Sequence, residues 1–409
     1  MNSVFAEVLT IGDELNRGEI VDTNSSFLAE RLTHLGLHVR WRSSVTDDPR
    51  DMEDALERAA SRAQVVVCSG GLGPTTDDRT VDVVCSILGL EAVSEPAHEN
   101  KMRARFEERK FRITPNNLRQ TRIPKGAQVL FNAHGMAPGF RVERGAARIY
   151  FMPGVPREMK PMFESYVAPE VMQQDSARER KVFRVFGMGE SHVDHALADL
   201  KIPDGATLHY RVAFPETYVT LVGDHLDAAA ADIRVRLGKF CYGEGDETFA
   251  AVIGRLASAK KNTLAVAESC TGGMLGEILT DVAGSSAYFS GGVISYSNEA
   301  KQKILGVRKE TLALYGAVSE ETVREMAEGA RRLFDVDHAV AISGVAGPTG
   351  GTADKPVGTV WLAIATRNGS APSTFETKKL FWPGARDMVR RYAAFGGLEL
   401  LYRALYSPS

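Results

Sequence analysis

Three short apolar runs, Val65-Val66-Val67, Leu264-Ala265-Val266-Ala267 and Ala339-Val340-Ala341-Ile342, each empty into a loop dense with glycine and hydroxyl groups. Runs this short, apolar at every position and bounded by turn residues, read as strands buried on both faces. Such strands belong to parallel sheets with helices packed on either side. In sheets of that kind ligands bind beyond the carboxyl ends of the strands, which is where these loops fall.

The rest of the chain supplies the helices such a sheet needs. Residues 5–11 read as a strand, and Asn24 or Ser25 caps a helix carrying Phe27, Leu28, Leu32 and Leu35. Residues 37–43 read as a second strand, and Asp48-Pro49 opens a helix with Met52, Leu56 and Ala59 on one face. Alternating strands and helices over 1–170 predict an α/β domain of three layers built on a parallel sheet. Residues 171–257 hold three strands and two helices, a small α+β unit entered through a polar joint at 173–181. Ser258-Ala259-Lys260-Lys261-Asn262 reads as a linker to a second α/β domain over 258–409, and a chain of 409 residues is long enough for three domains.

A net charge of −3 argues against a protein that holds nucleic acid through bulk electrostatics. No stretch is apolar enough to span a membrane, and residues 1–4 do not open a signal peptide, so a cytoplasmic location is expected. Cys68, Cys85, Cys241 and Cys270 are scattered, which points to neither a disulfide framework nor a structural zinc site.

Two loops of the first domain face the same sheet edge. One holds Gly12-Asp13-Glu14 and Asp22-Thr23-Asn24, and the other runs from Ser69 through Gly70, Gly71, Gly73, Thr75 and Thr76 to Asp77-Asp78. Closely spaced glycines let backbone N–H groups approach a phosphate, and the carboxylates suit a hard divalent cation. Equally, Asp77 or Asp78 serves as the N-cap of the next helix. Glu158, in the first turn after Pro153-Gly154-Val155-Pro156, is a metal or water ligand or a partner of the helix dipole.

The last domain places Glu268-Ser269-Cys270-Thr271-Gly272-Gly273 between a strand and a helix, and Tyr296, Asn298 and Lys301 at the start of another. A serine with a nearby lysine is a nucleophile with its base, provided that burial lowers the lysine pKa. The alternative is a serine cap and a solvated lysine. Gly347, Thr349 and Gly350 lie in the glycine-rich loop after residues 339–342, and Arg386 opens the last helix as an anion contact or an exposed cation.

Ala-Glu-Ser-Cys-Thr-Gly-Gly at 267–273, Tyr-Ser-Asn-Glu-Ala-Lys at 296–301 and Gly-Val-Ala-Gly-Pro-Thr-Gly-Gly at 344–351 resemble the C-terminal amidase domain of the CinA (competence/damage-inducible protein) family. That domain is similar to amidohydrolases that convert nicotinamide mononucleotide to nicotinate mononucleotide and ammonia without a cofactor. The resemblance implies Ser269 as nucleophile, Lys301 as general base and Tyr296 as a hydroxyl sharing the proton traffic. It further implies substrate contacts from Cys270, Thr271, Gly272, Gly273, Asn298, Gly347, Thr349, Gly350 and Arg386, with the N–H groups of residues 270–273 as oxyanion donors.

The loops at 12–14, 22–24 and 70–78, with Ala137-Pro138-Gly139 and residues 153–156, resemble the family's N-terminal domain, which is similar to molybdopterin-binding domains. Relatives of this type look like ADP-ribose pyrophosphatases that release AMP and ribose 5-phosphate. The resemblance implies a divalent cation (Mg2+, Mn2+ or Co2+) on Asp13, Glu14, Asp77, Asp78 and Glu158, and allows a monovalent cation beside it. Asn24, Gly70, Gly71, Gly73 and Thr75 would then meet the substrate. Relatives also carry a KH-like middle domain, and a homodimer is expected. Alternative readings are a molybdopterin-binding protein and a non-enzymatic competence or DNA-damage factor.

Overall fold

The computed structural model describes residues 4–172 and 179–406. The chain divides into two compact units, Met1–Arg178 and Glu179–Ser409.

The first unit is built on one sheet. Strands His38–Val45, Phe5–Ile11, Val65–Ser69 and Ala147–Met152 run parallel in that order, and Gly139–Arg144 and Gln128–Leu130 extend the sheet antiparallel. Helix Pro49–Arg62 starts as expected: Asp48 caps it by accepting from the Arg50 N–H, and Met52, Leu56 and Ala59 are buried. Helix Thr23–His34 is capped instead by Asp22, whose side chain accepts from Ser25 N–H, so neither Asn24 nor Ser25 is the cap. Helix Thr80–Leu88 begins after Arg79, with no side-chain cap, and this removes Asp77 and Asp78 from that role.

The second unit contains two sheets. The first is antiparallel, in the order Thr207–Ala213, Glu216–Gly223, Glu179–Phe186, Cys241–Glu244. Phe183, Val185, Val219 and Leu221 from this sheet pack on Val193 and Leu197 of helix Glu190–Leu197 and on Ala230 and Ile233 of helix Asp227–Leu237. Of the polar joint expected at 173–181, residues 173–178 lie outside the described residues, and strand Glu179–Phe186 takes up the rest.

The second sheet runs Phe289–Ile294, Leu264–Glu268, His338–Gly344, Thr359–Asn368, Ala371–Phe381, the first three strands parallel and the last two antiparallel. Its three central strands, Leu264–Glu268, His338–Gly344 and Thr359–Asn368, are largely apolar because each face has its own core. Val266, Val340, Ile342, Leu362 and Ile364 meet helices Phe249–Lys260 and Arg386–Leu405. Ala265, Ala267, Ala339, Ala341, Ala363 and Ala365 meet helix Glu320–Phe334 on the other face. Small side chains there let that helix sit close, and period-two alternation sorts large from small. The linker expected at 258–262 is a correction: residues through Lys260 belong to a helix whose Val252, Ile253 and Ala257 are core, and Lys261 is its left-handed cap at φ 55°. Among the described residues no helix is long and apolar enough to cross a membrane.

Candidate active site

Strands Leu264–Glu268 and Phe289–Ile294 are parallel neighbours with Glu268 opposite Ile294, so the residues that follow them emerge side by side at one sheet edge. Ser295 N–H donates to the Glu268 carbonyl at 2.8 Å and locks the two exits together. Ser269 leaves the first strand. Lys301 sits in helix Asn298–Leu305, and its side chain points back toward the helix start, as helical side chains do. Its Nζ lies 3.1 Å from Ser269 Oγ, 2.7 Å from the Ser295 carbonyl and 3.4 Å from the Tyr296 carbonyl.

Lys301 is 1% exposed, and burial holds its pKa below the ordinary lysine range. Its polar neighbours are neutral. An uncharged amine has two N–H donors and one lone pair, and the site offers two carbonyls to take the donors and one hydroxyl to meet the lone pair. The geometry therefore suits Lys301 as acceptor of the Ser269 proton, and the solvated-lysine alternative falls.

The turn after Ser269 requires glycine, because Gly272 and Gly273 adopt φ of 61° and 98°. Its N–H groups are not all free. Gly272 N–H donates to the Ser269 carbonyl, and Gly273 N–H donates to the Glu268 carboxylate at 3.0 Å. The same carboxylate, 1% exposed, accepts from Leu275 N–H at 3.1 Å and Gly276 N–H at 2.8 Å. The start of helix Met274–Thr280 thus carries its own anion, which corrects the expectation of an open anion site there. Of the four expected oxyanion donors, the N–H groups of Cys270 and Thr271 remain. Cys270 itself is buried, and its thiol is pushed up to about 12 by burial, so it stays protonated beside the serine.

Two arginines of helix Arg386–Leu405 hold groups of the loops that carry the site. Arg386 donates to the Gly347 carbonyl at 2.7 Å and to the Tyr296 hydroxyl at 3.2 Å, and Arg390 donates to the Thr271 carbonyl at 2.7 Å. Tyr296 is 63% exposed, and the structure places its hydroxyl with Arg386, not with the Ser269–Lys301 pair. Asn298, Thr349 and Gly350 are exposed. The role of Glu268, and Arg390 altogether, escaped the sequence reading. Glu268 ends a buried strand where an exposed carboxylate is usual, and Arg390 lies one turn beyond Arg386, a spacing that could have flagged it.

In the first unit a cleft of about 1220 Å³ opens at the carboxyl edge of the sheet, lined by Asp13, Glu14, Asn24, Asp47, Gly70, Gly71, Gly73, Thr75, Asp77, Asp78 and Glu158 among others. Gly70 and Gly71 have φ of 119° and 67°, and a Cβ on Gly70 would stand 2.1 Å from the Ile11 carbonyl oxygen. The glycines thus let the loop press onto the end of strand Phe5–Ile11, and Gly70 N–H is taken by the Met152 carbonyl rather than free for a phosphate. Asp47, missed from sequence, exchanges hydrogen bonds with Asp13: each carboxylate accepts from the other's N–H, at 3.0 and 2.9 Å. Burial raises the Asp47 pKa, and the charges of Asp13, Glu14 and Asp78 add to it.

The remaining carboxylates are dispersed. Asp78 accepts from the N–H and hydroxyl of Thr75, Glu158 accepts from Asn132 Nδ2 at 2.9 Å, and Asp77 is exposed. Asn24 Nδ2 ties Ser69 Oγ to the Gly154 carbonyl, and its buried Oδ1 has no partner. Among the described residues no three acidic, histidine or cysteine side chains converge as a ready metal shell. The oxygen-only donor set fits a hard cation held by one or two carboxylates and completed by water or phosphate oxygens.

Residues 246–405 match the CinA C-terminal domain, and residues 7–173 match a probable molybdopterin binding domain. A CinA-like protein of Anaeromyxobacter dehalogenans strain 2CP-1 is 43% identical over 410 residues, covering 98% of this chain and 99% of that one. A putative competence-damage inducible protein of Halothermothrix orenii is 38% identical over 412 residues, with the same coverage of 98% and 99%. Among solved structures, the competence/damage inducible protein CihA from Agrobacterium tumefaciens is 39% identical and covers 39% of this chain and 94% of its own, with a TM-score of 0.37. Similarity to such relatives along nearly the whole length places the chain in the CinA family.

Proposed function

We propose that the protein is a hydrolase with two sites, the second unit deamidating nicotinamide mononucleotide and the first cleaving ADP-ribose to AMP and ribose 5-phosphate. The observation that carries the amidase reading is the buried Lys301 Nζ at 3.1 Å from Ser269 Oγ, with only neutral partners. Ser269 Oγ attacks the carboxamide carbon as its proton passes to neutral Lys301. The oxyanion that forms is met by the N–H groups of Cys270 and Thr271. Lys301 returns the proton to the departing nitrogen, ammonia leaves, and water, deprotonated by the same amine, releases the acid from Ser269.

For the first unit, Asp13 and Asp47, which meet at the cleft, are the residues that would hold a divalent cation. When bound, it would neutralise diphosphate charge and lower the pKa of a water. Gly73, Thr75 and Asn24 line the cleft that would take the substrate, and the buried Asn24 Oδ1 has no other partner.

The test is ammonia release from nicotinamide mononucleotide, without added metal, by the wild type and Ser269→Ala. We expect release by the wild type and a loss of about three orders of magnitude or more in the variant. A wild type that releases none, or a variant that works equally well, removes the amidase reading. A second reading of the first unit, pterin binding, is favoured by the match of residues 7–173 to a molybdopterin binding domain. Calorimetric titration with a pterin ligand tests it.

A further inference from the structure

The hairpin joining strands Thr207–Ala213 and Glu216–Gly223 carries Phe214 at its tip, outside the buried core cluster of its own sheet. It lies 4.9 Å from the ring of Trp382 and 6.3 Å from that of Tyr392, centroid to centroid, and those two rings lie 4.8 Å apart. Phe186, from the same four-stranded sheet, sits 5.5 Å from Tyr392 on its way to Phe395 at 5.6 Å. The antiparallel sheet therefore reaches the catalytic sheet's last helix through aromatic contacts, which are specific in geometry.

Both residues gripped by Phe214 lead to the amidase site. Tyr392 shares the first two turns of helix Arg386–Leu405 with Arg386 and Arg390, which hold the Gly347 and Thr271 carbonyls. Trp382 N–H donates to the Gly358 carbonyl at 3.1 Å, Gly358 N–H donates to the Val345 carbonyl at 2.7 Å, and Val345 begins the loop that contains Gly347. A Cβ on Gly358 would stand 2.1 Å from the Trp382 carbonyl oxygen, so this contact is close and leaves little play. One ring thus fixes both the helix that supplies the arginines and the loop that one of them holds.

We propose that Phe214 is a positioning residue for the amidase site, and that the four-stranded sheet sets Arg386, Arg390 and the loop 344–351 in their binding geometry through it. The inference rests on the amidase reading for its kinetic consequence but not for its structural one. Phe214 is remote from Ser269 and Lys301 in the chain of contacts, so its loss disturbs substrate contacts rather than the proton transfer.

The experiment compares the full-length wild type, Phe214→Ala and Phe214→Tyr in two measurements. With nicotinamide mononucleotide, Phe214→Ala is expected to raise KM about tenfold with kcat nearly unchanged, and Phe214→Tyr to restore the wild-type value. In hydrogen exchange, Phe214→Ala is expected to speed the amides of Val345 and Gly358 while those of strands Leu264–Glu268 and His338–Gly344 stay protected. Unchanged KM and unchanged exchange overturn the proposal. So does a fall in kcat and melting temperature with KM intact and exchange faster everywhere, the mark of a merely structural residue. If the wild type releases no ammonia, the amidase reading fails, and exchange at Val345 and Gly358 alone decides the coupling.

Discussion

At the scale of single residues, the site depends on one amine being uncharged. Lys301 is buried among carbonyls and a hydroxyl, and desolvation holds its pKa below the usual 10.5. On the amidase reading activity requires the neutral form, so kcat/KM for nicotinamide mononucleotide should climb with pH and level off once the folded-state pKa is passed, below the ordinary lysine range. A pH profile from about 5 to 10 measures it, and a rate that is flat or falls with pH across this range excludes Lys301 as base. The sign for stability follows from the same shift. Between the folded pKa and 10.5 the unfolded chain binds more protons than the folded one, so stability should rise with pH in that window. Below the folded pKa the cost of burying the charge is present in full.

At the scale of elements, the short helix Met274–Thr280 is held by a carboxylate rather than by a hydroxyl cap. Glu268 accepts from three N–H groups around the helix start and so fixes the turn that aims Ser269. Glu268→Gln replaces one acceptor oxygen by an NH2 that faces an N–H donor. We expect a loss of about 1–3 kcal/mol in stability, read by denaturant unfolding, and a kcat lower by about tenfold or more. The pH profile should keep its shape, because the nearby groups that set the Lys301 charge are unchanged; a shifted profile would show that Glu268 acts on Lys301 directly. The helix and its neighbouring strands were legible in the sequence, since Leu264 to Ala267 and Met274, Leu275, Ile278 and Leu279 show their periods locally. Glu268 was not, because its partners are backbone groups that exist only once the helix has formed. Helix Phe249–Lys260 was not read from the sequence, and its end was taken for a linker, for a related reason: its last turn is polar and exposed, and only Val252, Ile253 and Ala257, buried by a helix far along the chain, reveal it. Asp47 shows the limit most directly, as its place beside Asp13 depends on the pairing of strands Phe5–Ile11 and His38–Val45.

At the scale of the whole molecule, the two units carry opposite local charge. The amidase site is flanked by Arg386 and Arg390, which donate to carbonyls and a phenol, and its one buried carboxylate is spent on helix N–H groups. On the amidase reading, such a site would take an anionic nucleotide without a metal. The cleft of the first unit is lined by Asp13, Glu14, Asp47, Asp77 and Asp78, and burial, with the charges of Asp13, Glu14 and Asp78, raises the Asp47 pKa. A diphosphate entering that cleft alone would meet like charge, and a bound cation reverses the sign. Chelation should therefore separate the activities in the intact chain. We expect EDTA to abolish AMP formation from ADP-ribose, with recovery on adding Mg2+ or Mn2+, while ammonia release from nicotinamide mononucleotide continues at its full rate. Ser269→Ala should give the reverse pattern, keeping AMP formation and losing ammonia. AMP formation that survives exhaustive chelation would show that the acidic cleft works without a cation. Loss of both reactions on chelation would place a metal requirement in the second unit as well, against the roles given to Ser269 and Lys301.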